Sequence, residues 1–316
     1  MIKLSICIPT YNRSTQLDKL LTELFLYDNL KLNNNWEICI SDNNSFDDTE
    51  RVVKKWQNLF TVNVYYKKNI LNIGAERNFK EVINMASGEY INLLGSDDIL
   101  PVNTISEIIN LLYENHDLIF CNIKSFSCDN NDLNDSFAFR VNSELRLNSK
   151  DDLLFNFGTE LNFISNLFIK KKFYDYDNAD RRVTENLHEF GFSYVYVFLS
   201  LLPSQLSCLV VPNICVLRRE GDYDCWYDHQ KYFFFGMGKM LNELSDKNFS
   251  KQSLVYAKYA NLRRYIGFKT LNIHNFLKGL KYYWNIPFYY IYLLLIIFPF
   301  IFYVNKVFKF VFHKLR

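Results

Sequence analysis

Two carboxylates stand side by side at Asp97-Asp98, directly after the apolar run Tyr90–Leu94 and a Gly95-Ser96 turn. Adjacent carboxylates where a strand ends are costly unless a cation or hydrogen-bond donors neutralise them. Mg²⁺ and Mn²⁺ take few protein carboxylates and fill their remaining positions with phosphate oxygens, so the pair suits a diphosphate ligand. The plain alternative is that Asp98 caps the next helix while Asp97 is solvated. Two more polar clusters, Thr10–Arg13 and Ser41–Ser45, also follow apolar runs, and Asp42 in the second is equally suited to closing an Asx turn.

The elements that must position these clusters can be read from the hydrophobic pattern. Leu4–Ile8 is a short, fully apolar strand of the kind expected when both sheet faces are covered. Ser14 opens a helical pattern, with Leu17, Leu20, Leu21, Leu24 and Phe25 at spacings of three and four. Trp36–Ile40 is a second strand, and Asp47–Glu50 leads into a helix carrying Val52, Val53 and Trp56. Val62–Tyr66 makes a third strand, followed by the loop Asn69–Gly74 and a helix with Phe79, Val82, Ile83 and Met85. Gly88 stands where a helix C-cap glycine is expected, and Tyr90–Leu94 is the fourth strand. Helix 102–113 and strand 117–123 follow. This alternation predicts an α/β fold, a mostly parallel Rossmann-like sheet with helices on both faces. Ligands of such sheets sit off the carboxyl ends of the strands, where all three polar clusters fall. No GxGxxG follows the first strand and no GxxxxGK[ST] occurs, which disfavours dinucleotide and P-loop sites.

The composition agrees with a folded core: 316 residues, 49% hydrophobic, with only ten Gly and six Pro, exclude a disordered or collagen-like chain. The seven cysteines form no CxxC pair and several lie in apolar runs, which points to buried free thiols in a reducing compartment. Charge is unevenly spread. After Asp246 there are twelve Lys and Arg and no Asp or Glu, so with a net charge of +2 the preceding residues carry −10. An acidic body thus bears a basic, aromatic tail suited to an anionic partner.

Several motifs occur in order: Ile6-Cys7-Ile8-Pro9-Thr10-Tyr11-Asn12-Arg13, Ile40-Ser41-Asp42-Asn43-Asn44-Ser45 with Asp48-Thr49, Asn72-Ile73-Gly74 with Arg77-Asn78, Ala86-Ser87-Gly88-Glu89-Tyr90, and Gly95-Ser96-Asp97-Asp98. Together they resemble the family 2 glycosyltransferases of the GT-A fold. The Gly-Ser-Asp-Asp form and Phe163-Ile164-Ser165 are similar to the abequosyltransferase-like branch of O-antigen and capsule enzymes. The resemblance covers residues 3–120 well, 160–220 loosely and the tail hardly. It implies that Pro9, Thr10, Tyr11 and Arg13 line the nucleotide base and ribose, and that Asp42 hydrogen-bonds the base. It further implies Asn72, Gly74 and Arg77 near the nucleotide or diphosphate. Asp97 would lie near ribose or metal, and Asp98 would ligate a Mg²⁺ or Mn²⁺ ion that stabilises the leaving diphosphate. Pro101 fits the family's pattern shortly after the pair.

Many members of the family carry Glu-Asp before an amphipathic helix in the second half of the domain, and an inverting transfer needs such a carboxylate as base. The matching stretch, Leu187–Tyr194, has no Glu-Asp pair. Glu189 is the chosen candidate, with Glu185, His188, Asp222 and Asp224 as alternatives; a solvated carboxylate at a helix start is the plain reading of each. Cys208–Val211 and Asn213–Leu217 read as short strands finishing the core, followed by Arg218 and Arg219, which by position could meet phosphate. His116 and His229 have no partner that suggests metal binding.

The organisation expected is a GT-A domain over 1–225, with a nucleotide-sugar half (1–120) and an acceptor half (121–225), then a helical extension (226–285) and an apolar, basic segment (286–316). Ile286–Val304 has no charged residue, is near the roughly 20 residues of a membrane span, and is broken by Pro287 and Pro299. With Lys278 and Lys281 before it and Lys306, Lys309, Lys314 and Arg316 after it, the segment suits lying in or re-entering the cytoplasmic leaflet beside anionic lipid. A helix packed on the body, a homo-oligomer interface and a single span are alternatives. Leu4–Ile8 is too short for a signal peptide, so the expected location is cytoplasmic, on the inner face of the membrane.

The function expected is sugar transfer from a nucleoside diphosphate to a hydroxyl of a lipid-linked oligosaccharide in surface polysaccharide assembly. A nucleotidyltransferase and a non-catalytic nucleotide-sugar-binding scaffold are the competing readings. Nucleic acid is disfavoured as a partner, because the basic residues interleave with a run too apolar to follow a phosphate backbone.

Overall fold

The computed structural model describes residues 2–29, 35–127, 137–158, 160–179, 192–220 and 236–266. Glu185, His188, Glu189, Asp222, Asp224, His229 and the segment 286–316 lie outside the described residues.

The first half alternates β1 (Leu4–Thr10), α1 (Ser14–Asn29), β2 (Trp36–Asp42), α2 (Thr49–Gln57), β3 (Val64–Lys68), α3 (Ala75–Met85), β4 (Tyr90–Leu93) and α4 (Val102–Leu112). β5 (Leu118–Ser127), β6 (Phe137–Phe139), β7 (Leu145–Ser149), α5 (Lys150–Phe157), β8 (Leu167–Lys170), α6 (Ser193–Leu201), β9 (Gln205–Glu220), α7 (Met237–Glu243) and α8 (Lys251–Ile266) follow. Among the described residues nine strands form one sheet in the order β3-β2-β1-β4-β8-β5-β9-β7, with β6 on β5.

Every residue of β1, β2 and β4 is buried, as expected of strands covered on both faces. Alternation divides the residues between two cores. Leu4, Ile6, Ile8, Ile38 and Ile40 meet Leu17, Leu20, Leu21 and Leu24 of α1, Val53 of α2 and Ile105 of α4. Cys7, Cys39, Ile91 and Leu93 face the opposite core with Val82 of α3 and the apolar residues of α5 and α6. Full burial of Leu17, Leu20, Leu21 and Leu24 contributes about 1.5–3 kcal/mol each, enough to hold α1 on the sheet.

One strand was not expected and two expectations need correction. β8 enters between β4 and β5, antiparallel to both, so the parallel run ends at β4. The two short strands expected over 208–217 are one strand, β9, whose register on β5 shifts between Cys121 and Asn122. Gly88 is not a left-handed C-cap, for α3 ends at Ala86 in extended conformation. Gly88 is there for close approach, since a Cβ would fall 2.7 Å from the Ser5 backbone nitrogen of β1. Cys7, Cys39, Cys121 and Cys208 are buried free thiols. No helix of the described residues is long and apolar enough to cross a membrane.

Candidate active site

Parallel register brings the polar clusters together. Pro9 and Thr10 of β1 pair with Ser41 and Asp42 of β2, and Asp42 pairs with Lys68 of β3. On the other side of β1, the Leu94 N–H donates to the Cys7 carbonyl at 2.8 Å, so the Gly95–Asp98 turn leaves the sheet beside the end of β1. Asn12 and Asn44 take positive φ (51° and 67°), a conformation that asparagine tolerates better than most residues. The Asn12 N–H donates to Ser45 Oγ at 2.8 Å and its side-chain oxygen accepts from the Phe46 N–H at 3.0 Å, joining the first two loops. Asp47 accepts from the Ser14 N–H at 2.9 Å and so caps α1 from the second loop.

Asp42 is fully buried. One carboxylate oxygen accepts from the Ser45 N–H at 2.8 Å, three residues on and so one beyond the Asx turn considered for it, and the other accepts from the Tyr66 hydroxyl at 2.8 Å. Burial and this carboxylate push the Tyr66 phenol above its ordinary pKa. Tyr66 carried no sequence assignment, although its place on β3 opposite Ile40 puts it at the same sheet edge.

The third loop is built from asparagines. Asn43 donates to Asn72 Oδ1 at 2.8 Å and accepts from the Ile73 N–H at 2.9 Å, while Asn72 Oδ1 also accepts from the Gly74 N–H at 2.9 Å. Asn78, 3% exposed, accepts from Ser41 Oγ at 2.7 Å and from Asn69 at 3.0 Å. Gly74 is the N-cap of α3 at φ 85°, a backbone that favours glycine. This framework leaves Arg77 exposed on the first turn of α3.

The paired aspartates have different surroundings. Arg13 forms an ion pair with Asp97 Oδ2, with both side chains about one-third exposed. Asp98, 6% exposed, accepts from the Ser165 hydroxyl at 2.5 Å, and the same hydroxyl accepts from the Gly95 N–H at 3.0 Å. The capping alternative for Asp98 does not hold: the N-cap of α4 is Pro101, without a side-chain capping bond. A Cβ on Gly95 would lie 2.8 Å from Asp98 Oδ2 and 3.1 Å from Asp97 Oδ1. Both carboxylates therefore converge over the one residue that leaves them room. Two convergent carboxylates at a loop of this kind fit a Mg²⁺ or Mn²⁺ ion completed by phosphate oxygens. Among the described residues no group of three or more His, Cys, Asp and Glu could hold a metal unaided.

Pro9, Thr10 and Asp42 thus end their strands, and Tyr11, Arg13, Asn72, Gly74, Arg77, Asp97 and Asp98 lie on the carboxyl-end loops or the helix turns they enter. Thr10 is 3% exposed and its hydroxyl has no hydrogen-bond partner among the described residues. Tyr11 meets Phe46 edge to face at 6.3 Å. Arg218, on β9, is half-buried in register with Ser125. His116 is a packing residue, 7% exposed, bonded to Ser207 at 2.7 Å and Glu114 at 3.1 Å. Glu189, the expected base, lies outside the described residues.

Comparison with known proteins identifies the family and the fold. The chain is 29% identical over 265 residues to an abequosyltransferase, RfbV, of Salmonella typhimurium, an alignment spanning 78% of this chain and 77% of that one. It is 32% identical over 122 residues to the GalNAc(5)-diNAcBac-PP-undecaprenol beta-1,3-glucosyltransferase of Campylobacter jejuni, covering 39% of this chain and 38% of the relative. Its fold is similar to the crystal structure of Staphylococcus aureus TarS 1–349 in complex with UDP-GlcNAc, with TM-score 0.67 and 15% identity over 90% of this chain and 82% of that one. The family model for glycosyl transferase family 2 matches residues 5–174, more than half of the chain, so this chain belongs to that family and is a glycosyltransferase.

Proposed function

We propose that the enzyme transfers a sugar, with inversion, from a nucleoside diphosphate to a hydroxyl of a lipid-linked oligosaccharide during assembly of a surface polysaccharide such as O-antigen, capsule or lipooligosaccharide. The observation that carries this reading is the convergence of Asp97 and Asp98 over Gly95, beside the β1 and β2 loops that end in Thr10–Arg13 and Asp42. The abequosyltransferase likeness supports the substrate class, and the undecaprenol named for the Campylobacter relative supports a lipid-linked acceptor.

In this reading the Pro9–Arg13 and Asp42–Ser45 loops receive the base and ribose, and Asn72–Arg77 borders the diphosphate. Asp97 and Asp98 would hold Mg²⁺ or Mn²⁺, which when bound neutralises charge on the departing nucleoside diphosphate. Arg13 fixes Asp97 and Ser165 fixes Asp98, so neither carboxylate must reorient as charge develops. Glu189 takes the proton of the acceptor hydroxyl. The basic, apolar segment 286–316 would rest on anionic lipid at the inner face of the membrane, where the acceptor is presented.

The test is transfer of radiolabelled sugar from UDP-, GDP-, CDP- and dTDP-linked donors to undecaprenyl-diphosphate-linked oligosaccharide, with and without Mn²⁺. The reading expects a labelled lipid product from one donor only when the cation is present. Release of free sugar with no lipid product, or a product formed equally in EDTA, contradicts it.

A further inference from the structure

The nine-residue helix α6 begins without a capping side chain of its own, for its N-cap position is Phe192. Phenylalanine cannot accept a hydrogen bond, yet the first N–H groups of a helix need acceptors. The acceptor comes from another helix. Glu76, in the first turn of α3, places Oε2 3.1 Å from the Ser193 backbone nitrogen and also accepts from the Ser193 hydroxyl. A carboxylate at this position meets the positive end of the α6 dipole as well as its orphan donors. One turn along α3, Phe79 packs edge to face on Tyr194 at 5.3 Å, and the Tyr194 hydroxyl donates to the Asn162 carbonyl. The start of α6 is therefore clasped at successive residues, by α3 and by the turn three residues before Ser165.

The position of Glu76 in the chain gives this clasp a consequence. It stands two residues after Gly74 and directly before Arg77, on the helix whose Asn78 is locked to Ser41 of β2. Ser193, its partner, follows Glu189 by four residues. We infer that Glu76 is a positioning residue, supplying from the donor-side helix the N-cap that α6 lacks and so setting the acceptor half of the enzyme against the donor half. Glu76 touches neither aspartate of the pair in this role; it acts through Ser193 and Tyr194.

The inference rests on the transferase reading, and the experiment separates the two. Glu76→Ala, Glu76→Gln and Ser193→Ala are made in the full chain, and kcat for transfer, affinity for the nucleoside diphosphate and amide hydrogen exchange are measured. Glu76→Ala should lower kcat on the order of 10- to 100-fold with nucleotide affinity unchanged, because a small displacement of reacting groups is costly. Glu76→Gln keeps a carbonyl acceptor and should restore kcat to within roughly threefold of wild type, while Ser193→Ala, with its N–H intact, should fall between. Exchange at the amides of Ser193 and Tyr194 should accelerate in Glu76→Ala and not in Glu76→Gln. The inference is overturned if Glu76→Gln is as slow as Glu76→Ala, if nucleotide affinity falls in step with kcat, or if exchange at α6 is unchanged. Accelerated exchange in Glu76→Ala, with a wild-type enzyme that transfers no sugar, would sink the transferase reading and the positioning role, leaving a structural cap.

Discussion

Ser165 and Asp98, 67 residues apart in the chain, meet through a 2.5 Å hydrogen bond in which the serine hydroxyl donates to Oδ2. The hydroxyl itself accepts from the Gly95 N–H at 3.0 Å, so its hydrogen has one direction left, toward the carboxylate. Ser165 is held in turn by Asn92, whose amide donates to the Ser165 and Leu167 carbonyls at 2.9 Å each. The residues that lead into β8, the strand that splits the parallel run, thus deliver the serine that orients the more buried of the paired aspartates.

Ser165→Ala should leave the fold intact and weaken Mn²⁺ binding roughly tenfold, the scale on which partners of ligating carboxylates act. Titrating free Mn²⁺ by electron paramagnetic resonance, with nucleoside diphosphate present, reads this directly. Unchanged Mn²⁺ affinity would mean that Asp98 needs no orienting partner.

Tyr66→Phe removes the donor to the fully buried Asp42. An unsatisfied buried acceptor costs about 1–3 kcal/mol, which the denaturant midpoint will register. If Asp42 also selects the base, the same variant should lose discrimination among nucleoside diphosphates in competition binding. A stability loss with discrimination intact would confine Asp42 to holding its loop.

Burial pushes the Glu76 carboxyl up from 4.5 to about 7, against the hydrogen bonds of Ser193 and Tyr194 that pull it down. A raised folded-state pKa means that its contribution to stability is full below the unfolded value and is lost as pH rises through about 7. Nearby Tyr176, whose phenol is raised by burial and by Glu76, stays protonated across this window. Glu76→Gln, neutral at every pH, should match wild-type stability in acid and exceed it above neutrality. Urea midpoints at several pH values check this; parallel curves would show that Glu76 does not titrate in the window.

The gathering of the polar loops at one end of the sheet was legible in the sequence because it is local. Apolar runs ending in Thr10, Asp42 and Asp98 mark strand ends, and parallel register then brings them to one edge without further information. Tyr66 and Glu76 were not legible as parts of the site, since each meets a residue 24 or 117 positions away through a pairing that leaves no short motif; Ser165 stood out only within Phe163-Ile164-Ser165, with nothing in the sequence to tie it to Asp98, 67 residues earlier. The same reason hid β8: four residues flanked only by the single-turn helices Glu160–Asn162 and Lys171–Tyr174 give no sign that they will enter between β4 and β5. Gly88 misled because glycine after a helix has two physical uses, and close approach to Ser5 prevailed over a left-handed cap.

A cation-dependent nucleotide-sugar site on Asp97 and Asp98 is tested most directly by a thermal-shift panel of UDP-, GDP-, CDP- and dTDP-sugars, with and without Mn²⁺, on wild type and Asp98→Asn. One nucleotide should raise the wild-type Tm only with Mn²⁺, and Asp98→Asn should fold normally but lose the shift. A shift that persists in Asp98→Asn or without the cation, or no shift from any of the four, would contradict it.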